Sequence, residues 1–242
     1  MIPLRDRNPT RSTPIATVGL IAACFAVFGL ELWVSFQGGD PALERFLDDW
    51  GAVPARISAA IDRGDYFSAP MLGIVTSMFL HGGWLHILGN MLFLWIFGNN
   101  VEDRLGRVPF LAFYLLGGLV AGLSQVWIAP DSDVPLVGAS GAIAAVLGVY
   151  FVLWPGARIT SLVFLGFFYQ LAEVPALIVL GYWFVLQLLS GVTSLGAATA
   201  ESGVAFFAHI GGFVVGMAVG LVVRLTGARG SAASRPYGGP MG

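Results

Sequence analysis

Residues 138–154 read GASGAIAAVLGVYFVLW, and the reading of this run decides the fold. The serine at 140 follows directly on a loop bearing Asp131 and Asp133, lies between Gly138 and Gly141, and opens an apolar helical stretch. Glycines there let other backbone and a substrate come close, so a nucleophile could sit at the head of a helix. The same four residues serve as well for a small-residue packing face between apolar helices. Alone, the motif leaves both readings open.

Composition supplies the surroundings. The 242-residue chain is 57% hydrophobic and 11% charged, against roughly 25% charged residues in a soluble domain. An integral membrane protein is expected, with length for about six spans of roughly 20 residues in one membrane domain. The single cysteine, Cys24, lies in an apolar run, which excludes a disulfide framework and a thiolate metal cluster. All 12 basic residues are arginines, the net charge is −2, and no basic run is dense enough for nucleic acid. The expected partners are the lipid bilayer and other proteins. No cofactor and no metal are expected.

Residues 1–14 carry Arg5, Arg7 and Arg11 among three prolines and read as a cytoplasmic N-terminal segment. Span one is 15–36, with Glu31 expected to reach the membrane interface. A long first external loop, 37–83, should contain short interfacial helices at 42–50 and 55–61. Span two, 84–98, is short, and 99–108 is a polar connection with Glu102, Asp103, Arg104 and Arg107. Span three is 109–128, where Gly118 and Gly122 predict close helix packing. Span four is 140–154, stopped by Pro155-Gly156.

The stretch RITSLVFLGFFYQLA at 158–172 is apolar enough for membrane contact, yet short and rich in β-branched and aromatic residues. It reads as a cytoplasmic-side connection. Span five is then 173–192, 193–203 a Gly/Ala/Ser-rich loop able to act as a movable lid, span six 204–225, and 226–242 a disordered cytoplasmic tail. Residues 15–225 make one six-span domain. With the amino terminus inside, nine arginines (5, 7, 11, 104, 107, 158, 224, 229 and 235) face the cytoplasm and three (45, 56 and 63) face outward. Both termini fall inside.

The three histidines, His81, His86 and His209, all lie at or inside expected spans. Ionisable side chains there face a cavity or a partner. Spans two, four and six enter from the same side, so His86, Asn90, Ser140 and His209 can share one depth. His86 and Asn90, four residues apart, occupy one helix face. A serine hydroxyl needs a base to become nucleophilic, and imidazole suits that work near neutral pH. An Asn amide, a His ring N–H and the backbone N–H of Ser140 are the donor types an oxyanion hole uses. No intramembrane Asp or Glu is positioned to orient the base, which points to a Ser–His dyad.

Four stretches carry a resemblance: HGGWLHILGN at 81–90, VEDRLG at 101–106, GASG at 138–141 and AHIGGFVVG at 208–216. In this order they resemble the motifs of the rhomboid intramembrane serine proteases, over most of the chain. The resemblance implies an all-α, six-transmembrane-helix bundle with a long first external loop. It implies an endopeptidase acting on single-span membrane proteins in or near the outer half of the bilayer. Carried over by position, Ser140 would be the nucleophile, His209 the general base, and His86 with Asn90 the oxyanion donors. His81 would be structural within the external loop. Where many members have a Trp-Arg pair, this chain reads Met71-Leu72-Gly73. Gly212 and Gly216, with Gly220, would let the sixth span pack on a neighbour and hold His209 beside Ser140.

Two other classes stay open at this level. An inactive relative would bind membrane clients without cutting them. A channel or transporter would line its path with the histidines, but lacks paired intramembrane acids and an evident repeat. The Ala/Gly-rich, arginine-only composition fits a bacterial plasma membrane.

Overall fold

The computed structural model describes residues 1–165, 168–196 and 205–227. The chain opens with strand β1 (Ile2–Asp6) and enters helix α1 (Ile15–Trp50) behind Pro14. Helix α1 is broken at Gly39 (φ 69°, ψ −170°), just ahead of Pro41. Proline cannot donate the intrahelical bond, and glycine takes the positive φ without a Cβ clash. The break divides an apolar segment from the charged 40–50 segment, the first of the short helices expected in 37–83.

Helices α2 (Pro54–Asp62) and α3 (Ala69–Thr76) follow, then one 3-10 turn (Ser77–Phe79) and helix α4 (Trp84–Leu105). The segment 69–79 and α4 meet at a 78° bend. Ile57 and Ile74 are fully buried here and pack with Ala52 and Val126 in a small core of their own. Ala52 and Leu136 exchange both backbone hydrogen bonds, at 3.0 and 2.9 Å, and Thr76 Oγ1 donates to the Trp50 carbonyl at 2.5 Å. These contacts anchor the loop that lacks the Trp-Arg pair.

Helix α4 corrects the expected boundary at Gly98: it runs on through Leu105 and stops at Gly106, whose φ is 87°. The two carboxylates near its end are satisfied by the start of α1 and the residues just before it. Both Glu102 carboxylate oxygens are used: Oε1 accepts from Ala16 N (3.0 Å), Oε2 from Thr17 N and Thr17 Oγ1 (both 2.7 Å). Asp103 accepts from Ser12 N and Oγ and from Arg11 N. A carboxylate at the open amides of a helix start satisfies orphan donors and the helix dipole together. Helix α4 is therefore not short.

Helix α5 is Arg107–Ile128. Its Gly118 and Gly122 admit side chains instead of a helix backbone: a Cβ would meet Met78 Sδ at 2.6 Å in the first case and Ile74 Cγ2 at 2.8 Å in the second. Helix α6 (Ser140–Leu153) has 14 residues, about 21 Å of helix against a hydrocarbon core of about 30 Å. Every residue from Ala142 to Tyr150 is buried, as suits a central helix apolar on all sides.

The ambiguous stretch after α6 is a hairpin of strands β2 (Arg158–Leu165) and β3 (Phe168–Pro175), and β1 adds to it antiparallel in the order β1-β2-β3. Ile2 pairs with Leu162, Pro3 with Ser161 and Asp6 with Ile159, with a register shift between Pro3 and Arg5, beside a proline that has no N–H to donate. Arg7 forms an ion pair with Glu173, and Tyr150 Oη donates to Asp6 Oδ2 at 2.9 Å. Burial pushes the Asp6 carboxyl above its ordinary range, opposed by the Tyr150 hydrogen bond. The amino-terminal segment is thus a strand bolted to the bundle, at the same end as the α6–β2 connection.

Helix α7 (Ala176–Gly196) begins later than expected because residues 173–175 belong to β3, and it ends later because 193–196 are helical. The rest of the proposed lid, 197–203, lies outside the described residues, as do residues 228–242 of the expected tail. Helix α8 (Phe206–Thr226) packs on α6 backbone to backbone. A Cβ on Gly148 would strike the Phe213 carbonyl, one on Gly212 the Gly141 carbonyl, and one on Gly216 the Ala145 carbonyl. Small residues are what allow such an approach.

Helices α1, α5, α8 and residues Ala176–Ser194 are long and apolar enough to cross a membrane, and the bent pair Ala69–Phe79 and Trp84–Leu105 makes a fifth span if taken as one. The architecture is a helical membrane bundle around α6, with the small sheet at one end.

Candidate active site

Ser140 is the first residue of α6, so its hydroxyl points out of the helix start and not back into a preceding turn. The approach to it is shaped by Gly138, which has φ 123° and whose N–H donates to the Ser77 carbonyl at 2.8 Å. A Cβ at Gly138 would lie 2.6 Å from His86 Nε2 and 3.6 Å from Asn90 Nδ2. The bare glycine backbone is what lets both α4 side chains reach the serine loop.

His209 stands in the first turn of α8, and its Nε2 is 2.7 Å from Ser140 Oγ. That turn is held by α5, where Gln125 Oε1 accepts from Phe207 N at 3.1 Å. The other imidazole nitrogen, Nδ1, is 2.8 Å from Gln187 Oε1 on α7. One turn earlier on α7, the Trp183 ring lies 5.9 Å from the His209 ring. The base is thus gripped from three helices.

Asn90 is buried on α4, and its Nδ2 has no hydrogen-bond partner. Buried donors are almost always paired, so an unpaired one facing the serine loop is an opening for an acceptor. His86 lies four residues before it, with its ring 5.2 Å from that of His81. His81 is buried: its backbone N–H donates to Glu31 Oε1 at 3.0 Å, and its ring Nδ1 is 3.2 Å from the Phe79 carbonyl. Glu31, expected at the interface, is 1% exposed. It is drawn inside because it pins the turn before α4 to α1.

His86, Asn90, Ser140, Trp183 and His209 border one cavity of about 350 Å³. Gly141 and Gly212 lie just behind it, with Gly216 one turn further along α8, in the α6–α8 contact. The sequence reading overlooked Gln187 and Trp183. Gln187 is the one carboxamide in the apolar helix α7, and a polar side chain in such a run is the signal that could have singled it out. Among the described residues no group of three or more His, Cys, Asp or Glu could hold a metal ion.

The Rhomboid domain family model matches residues 69–226. Rhomboid protein 1, mitochondrial, of Saccharomyces cerevisiae is 29% identical over 160 residues, covering 64% of this chain and 42% of the yeast protein. RHOMBOID-like protein 5 of Arabidopsis thaliana is 30% identical over 152 residues, 63% of this chain and 44% of the plant protein. The Bacillus subtilis protein named "Putative rhomboid protease YdcA" is 34% identical over 77 residues, 32% of this chain and 38% of its own length. The chain spans less than half the length of each of these relatives.

Proposed function

The chain belongs to the rhomboid family, and from that premise we propose that it is an intramembrane serine endopeptidase working through a Ser140–His209 dyad on single-span membrane proteins. The observation that carries the reading is the 2.7 Å contact between Ser140 Oγ and His209 Nε2, made between the starts of two apolar helices beside a cavity of about 350 Å³. That volume lies in the range of ligand sites.

In the first half-reaction His209 Nε2 takes the Ser140 hydroxyl proton while Oγ bonds to the scissile carbonyl carbon. Negative charge gathers on the carbonyl oxygen, where Asn90 Nδ2, a His86 ring N–H and the Ser140 backbone N–H donate. Cleavage of the C–N bond sends the proton from His209 to the departing amine and leaves an ester on Ser140. A water molecule then gives a proton to His209 and its oxygen to the acyl carbon. Collapse returns the proton to Ser140 Oγ and frees the new carboxyl end.

A helical amide is shielded by its own hydrogen bonds, so the substrate helix must unwind near the cut. Gly138, Ala139 and Gly141 leave the surface beside Ser140 shallow, which favours small residues there. The proposed domain is 15–225, crossing the bilayer six times with both termini cytoplasmic in a bacterial plasma membrane. The nine-to-three arginine distribution supports that sidedness, and so does the sheet, which joins residues 2–6 to 158–165 and 168–175 at one end of the bundle.

An inactive relative that binds membrane clients is the second reading, and the intact Ser140–His209 pair speaks against it. Treating the purified protein with a fluorophosphonate, mapping the adduct, and offering a panel of single-span proteins separates the two. The protease reading expects the adduct on Ser140 and at least one substrate cut. Bound clients with neither adduct nor cut would favour the second.

A further inference from the structure

We propose that Gln187 is a positioning residue for the base, fixing the tautomer of His209 in which Nε2 is free to take the serine proton; this rests on the Ser140–His209 reading. A neutral imidazole carries its single proton on Nδ1 or on Nε2, and the group bonded to one nitrogen decides the state of the other. Gln187 Oε1 is 2.8 Å from Nδ1, and Ser140 Oγ is 2.7 Å from Nε2. A carboxamide oxygen can only accept, so it holds the proton on Nδ1 and turns the Nε2 lone pair toward the hydroxyl. Gln187 therefore does by a neutral dipole what a carboxylate does in a Ser-His-Asp site. No buried charge is needed, which suits an apolar helix.

Helix α7 supplies two supports to the same ring, since Trp183 lies four residues before Gln187 and flanks the imidazole. Ser140 and His209 ride on α6 and α8, which are in backbone contact with each other. The acceptor rides on a third helix. The state of the base consequently depends on where α7 sits, and a displacement of α7 longer than a hydrogen bond leaves the Nδ1–H without its acceptor and the tautomer unfixed.

The role differs from packing in what each variant does. Gln187→Met and Gln187→Leu keep bulk and lose the acceptor. Gln187→Glu keeps an accepting oxygen. The acceptor-free variants are expected to lose kcat by about 10-fold or more, bounded by the roughly 10⁴-fold cost of a wrong tautomer in a serine protease triad. KM should be unchanged, melting temperature should stay at the parent value, and fluorophosphonate labelling of Ser140 should slow in step. Gln187→Glu should recover most of the lost rate. Labelling and turnover at the parent level in the acceptor-free variants would overturn the assignment. So would equal loss in all three, or failure of both acceptor-free variants to fold, since Gln187 would then serve packing alone. An unlabelled Ser140 in the parent would instead sink the protease reading itself.

Discussion

Gly212 on α8 stands so close to Gly141 on α6 that a Cβ added to it would strike the Gly141 carbonyl. Gly141 follows Ser140 and Gly212 comes one turn after His209, so this backbone contact sets the spacing of the proposed dyad. Gly212→Ala should cost about 1–3 kcal/mol by overpacking and lower activity by more than the stability loss explains. Gly29→Ala on α1 meets nothing within 4 Å and should be neutral or stabilising by up to about 1 kcal/mol. Unfolding in mild detergent measures both, and equal effects at the two sites would refute the argument.

The Glu102 carboxylate takes three hydrogen bonds from the start of α1. Hydrogen bonds to a charged group contribute about 1.5–3 kcal/mol each, and loss of a helix cap costs up to about 2. Glu102→Ala should therefore destabilise by roughly 2–4 kcal/mol, with Glu102→Gln between it and the parent. A change under about 0.5 kcal/mol for the alanine variant, the size of an ordinary surface substitution, would show that the α4–α1 junction is held by packing alone.

Asp6 lies outside the spans, and burial raises its folded-state pKa above 3.8. The folded chain then binds this proton more tightly than the unfolded chain. Its stabilising contribution is complete below about pH 3.8 and is lost as pH rises through the higher folded value. Asp6→Asn removes that dependence, so it should gain on the parent between acid and neutral pH. A parent-minus-variant difference that stays constant with pH would contradict the burial argument.

Asn90 Nδ2 is buried without a partner, so removing it breaks no folded-state hydrogen bond. Asn90→Ala should leave thermal stability near the parent value while lowering kcat, with about 10²–10³-fold as the upper bound for one oxyanion donor. His81→Ala should do the reverse, because His81 links the turn at Phe79 to the His86 ring. Substrate turnover and melting temperature, read together on both variants, decide it.

Much of the bundle is legible locally, since the apolar runs of α1, α5, α6 and α8 announce themselves, and Pro155-Gly156 marks the end of α6. What local reading misses is satisfied at a distance. Residues 99–105 look like a polar turn because their partners, Ser12, Ala16 and Thr17, lie more than 80 residues away. The strand pair 158–165 and 168–175 is ambiguous because an apolar, β-branched run suits lipid or sheet alike, and its third strand is at the amino terminus. Glu31 looks interfacial until the His81 amide gives it a reason to be buried. Ser140, His86, Asn90 and His209 could be proposed from helix entry points and motif order, whereas Gln187 escaped a search confined to carboxylates.

The central claim is that Ser140 and His209 act as one catalytic unit. Residues acting as a unit lose activity together, so Ser140→Ala, His209→Ala and the double variant should fall to one common floor without multiplying. The most direct measurement is cleavage of a single-span substrate by purified Ser140→Ala, with membrane insertion and melting temperature matched to the parent. The account predicts turnover at the floor and no fluorophosphonate adduct. A folded Ser140→Ala that cuts at the parent rate would contradict it.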